Sequence, residues 1–201
     1  RAVRLGKEHP RVTGSGNQPM NPLLPARFST GAGAAGPSLP PTMFPWAQER
    51  LRVLSADSPA GAMREYRVLA ESEGGQLSES ERYGMALAQM RAGYPAAAES
   101  ALATLAGQPP DNLFIALALA ENAFVARNPA LSRQRFEDLL RKYPQDQAVS
   151  LSYAQKLNET GTPDGGRRAQ AVLKPLLSTS GDDPLFQKNF GRASELAGDL
   201  P

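Results

Sequence analysis

Residues 113–140 read LFIALALAENAFVARNPALSRQRFEDLL. Leu113, Ala116, Leu117, Ala120, Ala123 and Phe124 recur at helical spacing, so the first half reads as one helix. Asn128 and Pro129 mark a turn, since proline is tolerated in the opening turn of a helix. Leu131, Phe136, Leu139 and Leu140 then give a return helix its apolar side. The stretch therefore specifies a helical hairpin, and its neighbours specify two more. Upstream, Tyr83, Ala86, Leu87 and Met90 form an inward stripe that ends at Gly93, and Pro95 opens the return helix with Leu102 and Leu105. Downstream, Leu151, Ala154 and Leu157 run to Gly161. An enlarged turn, TPDGG, precedes Ala169, Val172, Leu173 and Leu176, and Pro175 is expected to kink or shorten that helix.

Small residues stand at the same place in the three first helices, Ala86, Ala120 and Ala154, at spacings of 34 and 34 residues. In the second helices Ala101, Phe136 and Leu173 are spaced by 35 and 37, as are the exits Pro109, Pro144 and Gly181. Paired helices repeating near 34 residues are the signature of tetratricopeptide-type repeats. The fold class is therefore all-α, a tetratricopeptide-like stack of antiparallel helical hairpins (an α-solenoid). A lone hairpin cannot bury its apolar face, so each leans on the next. Ala86, Ala120, Ala154 and, one step on, Gly191 are expected where backbones approach, with Leu102, Phe136 and Leu173 filling the wedge between hairpins. Ser78 or Ser80 with Glu81, Asp111 or Asn112, Asp146, and Asp182–Asp183 sit where capping groups are needed. Carboxylates at these helix starts are explained by capping and by the helix dipole rather than by catalysis.

Two regions follow: residues 1–42, a Pro/Gly-rich irregular segment, and residues 43–201, the helical repeat domain. The first contains Gly31, Gly33 and Gly36 in a G-x-G-x-x-G spacing. A strand before and a helix after are required for that motif to hold a pyrophosphate, and Pro37, Pro40 and Pro41 follow instead. Pro37 and Pro40 also form a P-x-x-P pattern, read as an extended linker or a polyproline docking segment. Five basic residues and one acidic residue give the segment +4 of charge, with no Lys/Arg run and no aromatic platform for nucleic acid. At the start of the second region Thr42 is placed to cap a helix. Pro45 stands in that helix's first turn, and Trp46, Leu51 and Leu54 form its stripe. Ser58 and Pro59 open another helix, with Met63, Tyr66, Val68, Leu69 and Ala70 as its apolar side and Gly74–Gly75 as its end. This pair is expected to cover one end of the stack, with Trp46 buried against it. A helix from about Pro184 to Ala197 closes the other end, where Leu185, Phe190 and Leu196 have no helix left to meet.

The chain has no cysteine and one histidine, His9, so neither thiolate zinc nor a two-histidine metal site can form within it. HExxH, nucleophile-elbow and P-loop patterns are absent. The longest apolar run, Leu113 to Ala126, is broken by Glu121 and Asn122 and is too short for a bilayer. Asn158–Thr160 matches a glycosylation sequon. The chain opens on Arg1 rather than Met, which reads as a fragment or a processed product, and no signal-peptide pattern is legible. Stacked hairpins leave a concave groove lined by their first helices. Arg82 and Gln89, Glu121 and Asn122, and Gln155, Lys156 and Asn158 are the candidates to face a protein or peptide there.

The runs ERLRVLSAD, RYGMALAQMRAG, DNLFIALALAE, YPQDQAVSLSYAQKL and AQAVLKPLLS resemble the C-terminal region of the BepA-like periplasmic zinc metalloproteases. In that family an HExxH protease domain precedes a tetratricopeptide domain. The resemblance covers roughly residues 46–200. It implies a periplasmic envelope protein handling outer-membrane proteins, whose repeats engage an unfolded or assembling substrate or the assembly machinery. His9–Pro10 echoes a His-Pro element of the family, but this chain carries no metal-binding motif. Zinc and proteolysis would belong to a protease domain outside these residues. The alternative is a free-standing tetratricopeptide adaptor, periplasmic or cytoplasmic. On either reading the chain itself is a non-catalytic docking module without a cofactor, nucleic-acid partner or transmembrane segment.

Overall fold

The computed structural model describes residues 41–72, 74–107 and 112–199. The segment before residue 41, with its glycine and proline spacings and His9, lies outside those residues, as do Pro109 and Asp111. Every regular element among the described residues is helical. They are α1 (Phe44–Ser55), α2 (Pro59–Ser72), α3 (Glu79–Arg91), α4 (Pro95–Ala106), α5 (Leu113–Val125), α6 (Pro129–Lys142), α7 (Gln147–Glu159), α8 (Pro163–Leu173), the short α9 (Leu177–Ser180) and α10 (Pro184–Ala197).

The starts of these helices follow from side-chain chemistry. Ser78 Oγ accepts the Glu81 amide at 3.3 Å, and the Glu81 carboxylate accepts the Ser78 amide at 2.8 Å, closing a capping box. Asn112, Asn128, Asp146, Thr162 and Asp183 accept amides of the first turns of α5, α6, α7, α8 and α10. Each such cap stabilises by about 1 kcal/mol. Thr42 does not act this way. A 3-10 turn, Pro41–Met43, runs straight into α1, and Met43 keeps helical backbone angles. A side-chain cap needs an extended residue there. At the far end Pro175 stops α8 at Leu173, and the chain continues as a 3-10 turn and then α9.

Consecutive helices pack on one another, α3 with α4, α5 with α6, and α7 with α8, and the pairs lean together as a stack. Ala86, Ala120 and Ala154 are fully buried. The second helices bury a small residue, a large residue and a leucine in the same order: Ala98, Leu102, Leu105 in α4; Ser132, Phe136, Leu139 in α6; Ala169, Leu173, Leu176 from α8 onward. All three columns step by 34 and then 37 residues. The partner of Phe136 is therefore Leu102, and Ala101 lies half-buried beside it. The three extra residues do not enlarge the turn. Pro163 lies six residues before Ala169, whereas Pro95 and Pro129 lie three before Ala98 and Ser132, so α8 gains nearly one helical turn at its start. That turn holds Gly165 and Gly166. A Cβ on Gly165 would stand 2.5 Å from the Leu157 carbonyl, and one on Gly166 2.7 Å from the Ala193 carbonyl. Close passage past α7 and α10 is what requires glycine there.

Three further expectations are corrected. Gly191 is exposed, and a Cβ on it would touch nothing within 4 Å. It lies on the side of α10 with no described neighbour, and the inward positions of α10 are Phe186, Asn189 and Ala193. Val68 is 62 % exposed, while Ala62 and Tyr66 carry the inward side of α2. In α1 the deepest residues are Ala47, Arg50 and Val53, with Trp46, Leu51 and Leu54 half-buried around them. The cause is that α1 packs along α3 and barely on α2, which rotates Arg50 inward. Trp46 does pack inside, its ring 5.5 Å from that of Tyr83.

The turns between paired helices also repeat: Gly93 (φ 84), Arg127 (φ 57) and Gly161 (φ 66) share one left-handed position at 34-residue steps. Only Arg127 carries a side chain, and such a conformation costs an L-residue with a Cβ roughly 1 kcal/mol. Arg127→Gly is accordingly expected to raise the thermal midpoint by about 3 °C. Ala120→Glu, which forces a charge into the enclosed middle of the stack, should cost at least about 3 kcal/mol. A melt indistinguishable from the parent would remove Ala120 from the packing seam.

Candidate functional site

A groove of about 190 Å³ runs where the first helices of the stack face inward. Leucines line much of it: Leu54 from α1, Leu117 from α5, Leu151 from α7 and Leu185 from α10. Met90 from α3 and Val125 at the end of α5 extend the apolar wall. Among these stand Arg50, Arg91, Glu121, Ser152, Gln155, Lys156 and Asn189.

The floor is an ion pair. Arg50 of α1 meets Glu121 of α5 in a two-point contact, Nη2 to Oε1 at 2.6 Å and Nη1 to Oε2 at 3.2 Å. Ser152 of α7 donates a third bond to Glu121 Oε1 at 2.6 Å, and Arg50 Nη1 also reaches the Tyr83 hydroxyl at 3.4 Å. Both charged side chains are less than a tenth exposed. Burial alone would favour the neutral form of Glu121, yet the Arg50 charge together with the hydrogen bonds from Arg50 and Ser152 outweighs it and holds the carboxyl below its ordinary range. Burial likewise opposes the charge on Arg50, and Glu121 and Tyr83 more than restore it, so its proton is held more tightly than usual. The Tyr83 hydroxyl is pushed up to about 12, chiefly by burial. Arg91 of α3 donates to the Val53 carbonyl and ties α1 down along the same wall.

The candidate residues are dispersed by this arrangement. Gln155 and Lys156 line the groove, half-buried. Glu121 lies in it as well, but as its buried floor rather than an outward contact. Asn122 is buried on another side of α5, donating to the Pro95 carbonyl and to Glu99, both at 2.9 Å. Glu99 is gripped in turn by Arg135 of α6. Asn158 is buried and donates to the Asn189 carbonyl at 2.9 Å, joining α7 to α10, so the sequon asparagine is engaged in the interior. Arg82 is exposed away from the groove, and Gln89 is half-buried outside it. The shared reason is that α5 and α7 are enclosed on most sides, so a polar residue in their apolar runs turns inward to a partner. Arg50, Arg91 and Ser152 belong to the groove beyond those candidates. Arg50 had a legible signal: Ala47, Arg50 and Val53 are spaced by three residues, one inward face of α1.

Among the described residues no cluster of three or more His, Cys, Asp or Glu side chains is grouped to hold a metal ion. No described helix is long and apolar enough to cross a membrane.

Removing one member of the floor pair strands a buried charge, so Arg50→Met or Glu121→Leu alone should cost about 3 kcal/mol, and the double substitution should recover most of it. The pH dependence has a definite sign. A depressed native carboxyl contributes stability that is complete above the ordinary glutamate value of about 4.3 and is lost as pH falls through the lower native value. Denaturant titrations should therefore show acid destabilisation that is shallower in the double variant than in the parent.

Compared with family models, curated proteins and solved structures, the chain matches none.

Proposed function

We propose that this helical stack is a non-catalytic docking module that receives a segment of a partner protein in the groove of its first helices. The observation that carries the reading is the groove itself: apolar side chains from α1, α3, α5, α7 and α10 converge there around a few polar groups. Concave, mainly apolar hollows with sparse fixed polar groups are where partners settle. The internal ion pair adds to the argument, because a floor already satisfied by Arg50 and Ser152 needs no rearrangement to accept a ligand. The resemblance over residues 46–200 gives the proposal a narrower form. On it, the module is a tetratricopeptide-like arm of a periplasmic zinc metalloprotease that presents envelope proteins for quality control, with zinc and cleavage outside these residues.

A photo-crosslinking residue at Gln155, inside the groove, should give discrete protein adducts in the cells that make the protein. The same residue at the exposed Arg167 of α8 should not. Adducts equal at both positions, or absent at Gln155, would overturn the reading. The narrower form requires the captured proteins to be envelope proteins or their assembly machinery.

A further inference from the structure

Which segment the groove takes follows from its charges and its size. Glu121 is the one acidic residue in the lining, and its oxygens are already committed, Oε1 to Arg50 and Ser152, and Oε2 to Arg50. That pair is neutral as seen from the groove. Arg91 and Lys156 are the other cations of the lining. Arg91 donates to the backbone carbonyl of Val53, and no carboxylate among the described residues forms an ion pair with it. Lys156 reaches both Glu159 oxygens, at 2.8 and 3.1 Å, across one turn of α7, and its ammonium stands 5.4 Å from the centre of the Phe124 ring; an ion pair at this helical spacing is worth a few tenths of a kcal/mol. The lining therefore holds three cations against one carboxylate, with Arg91 lacking a carboxylate partner and Lys156 able to trade Glu159 for a ligand's carboxylate. Its volume, about 190 Å³, slightly exceeds the roughly 150 Å³ in which an engineered apolar cavity holds benzene, so one bulky side chain fits.

We propose that the occupant is an acidic segment of a partner protein with a single large apolar residue as its anchor. This assignment rests on the docking reading above. The anchor enters between Leu54, Leu117, Leu151 and Leu185, and flanking carboxylates meet Arg91 and Lys156. The chain's own N-terminal segment is the wrong occupant, because residues 1–42 carry +4 and would set like charges together.

The test uses fluorescent nonapeptides in anisotropy titrations of the whole chain: one with phenylalanine at its centre and glutamates around it, one with lysine for each glutamate, and one acidic with alanine for phenylalanine. The first should bind at least about tenfold more tightly than the other two, and more weakly as salt rises. Lys156→Gln should weaken it by about fivefold with an unchanged melting curve, and Arg91→Gln, which also unties α1 from α3, should weaken it at least as much. Equal or tighter binding of the lysine peptide, indifference to alanine, or no peptide binding at all would overturn the assignment. A large gain in affinity on deleting residues 1–40 would make that segment the occupant, and self-association lost in Lys156→Gln would make it a second copy; either outcome also overturns it. If groove-specific adducts at Gln155 persist while the acidic peptide fails, the groove stands and only its ligand class falls.

Discussion

Helix α5 has almost no outer face, and the rest of the molecule is arranged around that constraint. Phe114, Ile115, Leu117, Ala118, Ala120 and Ala123 are all buried, and all but Ala123 are divided between two hydrophobic clusters of the core. A helix enclosed in this way needs small residues wherever another backbone approaches, which is why half of those side chains are alanine. It also favours a partner for each polar group, because an unpaired buried one costs several kcal/mol. Glu121 and Asn122 are the two polar residues of its interior; Glu121 is met at both oxygens and Asn122 at its Nδ2, while Asn122 Oδ1 has no partner among the described residues. Arg50 comes from α1 and Ser152 from α7; Glu99 and the Pro95 carbonyl come from α4.

These cross-ties fix register as well as stability. Apolar columns stepping by 34 residues tolerate sliding, since leucine against leucine is nearly degenerate. A carboxylate that must find a particular guanidinium is not degenerate. Glu99 accepts Arg135 at 2.5 and 3.2 Å and also the Asn122 amide, so α4, α5 and α6 are locked at one height. Asn158 on the Asn189 carbonyl does the same for α7 and α10. Polar groups in such positions add little net energy, but they make wrong alignments expensive.

The helical stack was legible because it is written in local signals that repeat. The capping box at Ser78 and Glu81, the glycines at left-handed positions and the alanines at 86, 120 and 154 each act within one turn of chain or one neighbour's distance. The site was less legible because its residues are defined by contacts across 31 to 71 positions of sequence. Glu121 and Asn122 stand in an apolar run, and from sequence alone a polar residue in such a run reads as facing out. Whether it does depends on how many helices surround it, and the repeat does not encode that number. The same gap explains TPDGG: a turn and the first turn of a helix share proline, aspartate and glycine, and only the approach of Ala193 decides between them.

The placement of α1 shows how the site depends on these long-range ties. An ordinary hairpin would hold α1 against α2 through an apolar seam, but here the two helices hardly pack together. Polar links at several points position α1: Arg50 to Glu121, Arg91 to the Val53 carbonyl, and the Tyr66 hydroxyl of α2 to Glu49. Swinging α1 away would strand Arg50 and Glu121 without each other, a cost of about 3 kcal/mol or more. The wall carrying Leu54 is therefore held in place before any ligand arrives. A partner entering the groove loses its own freedom but does not have to order the protein, which favours binding through one anchor residue in a small hollow.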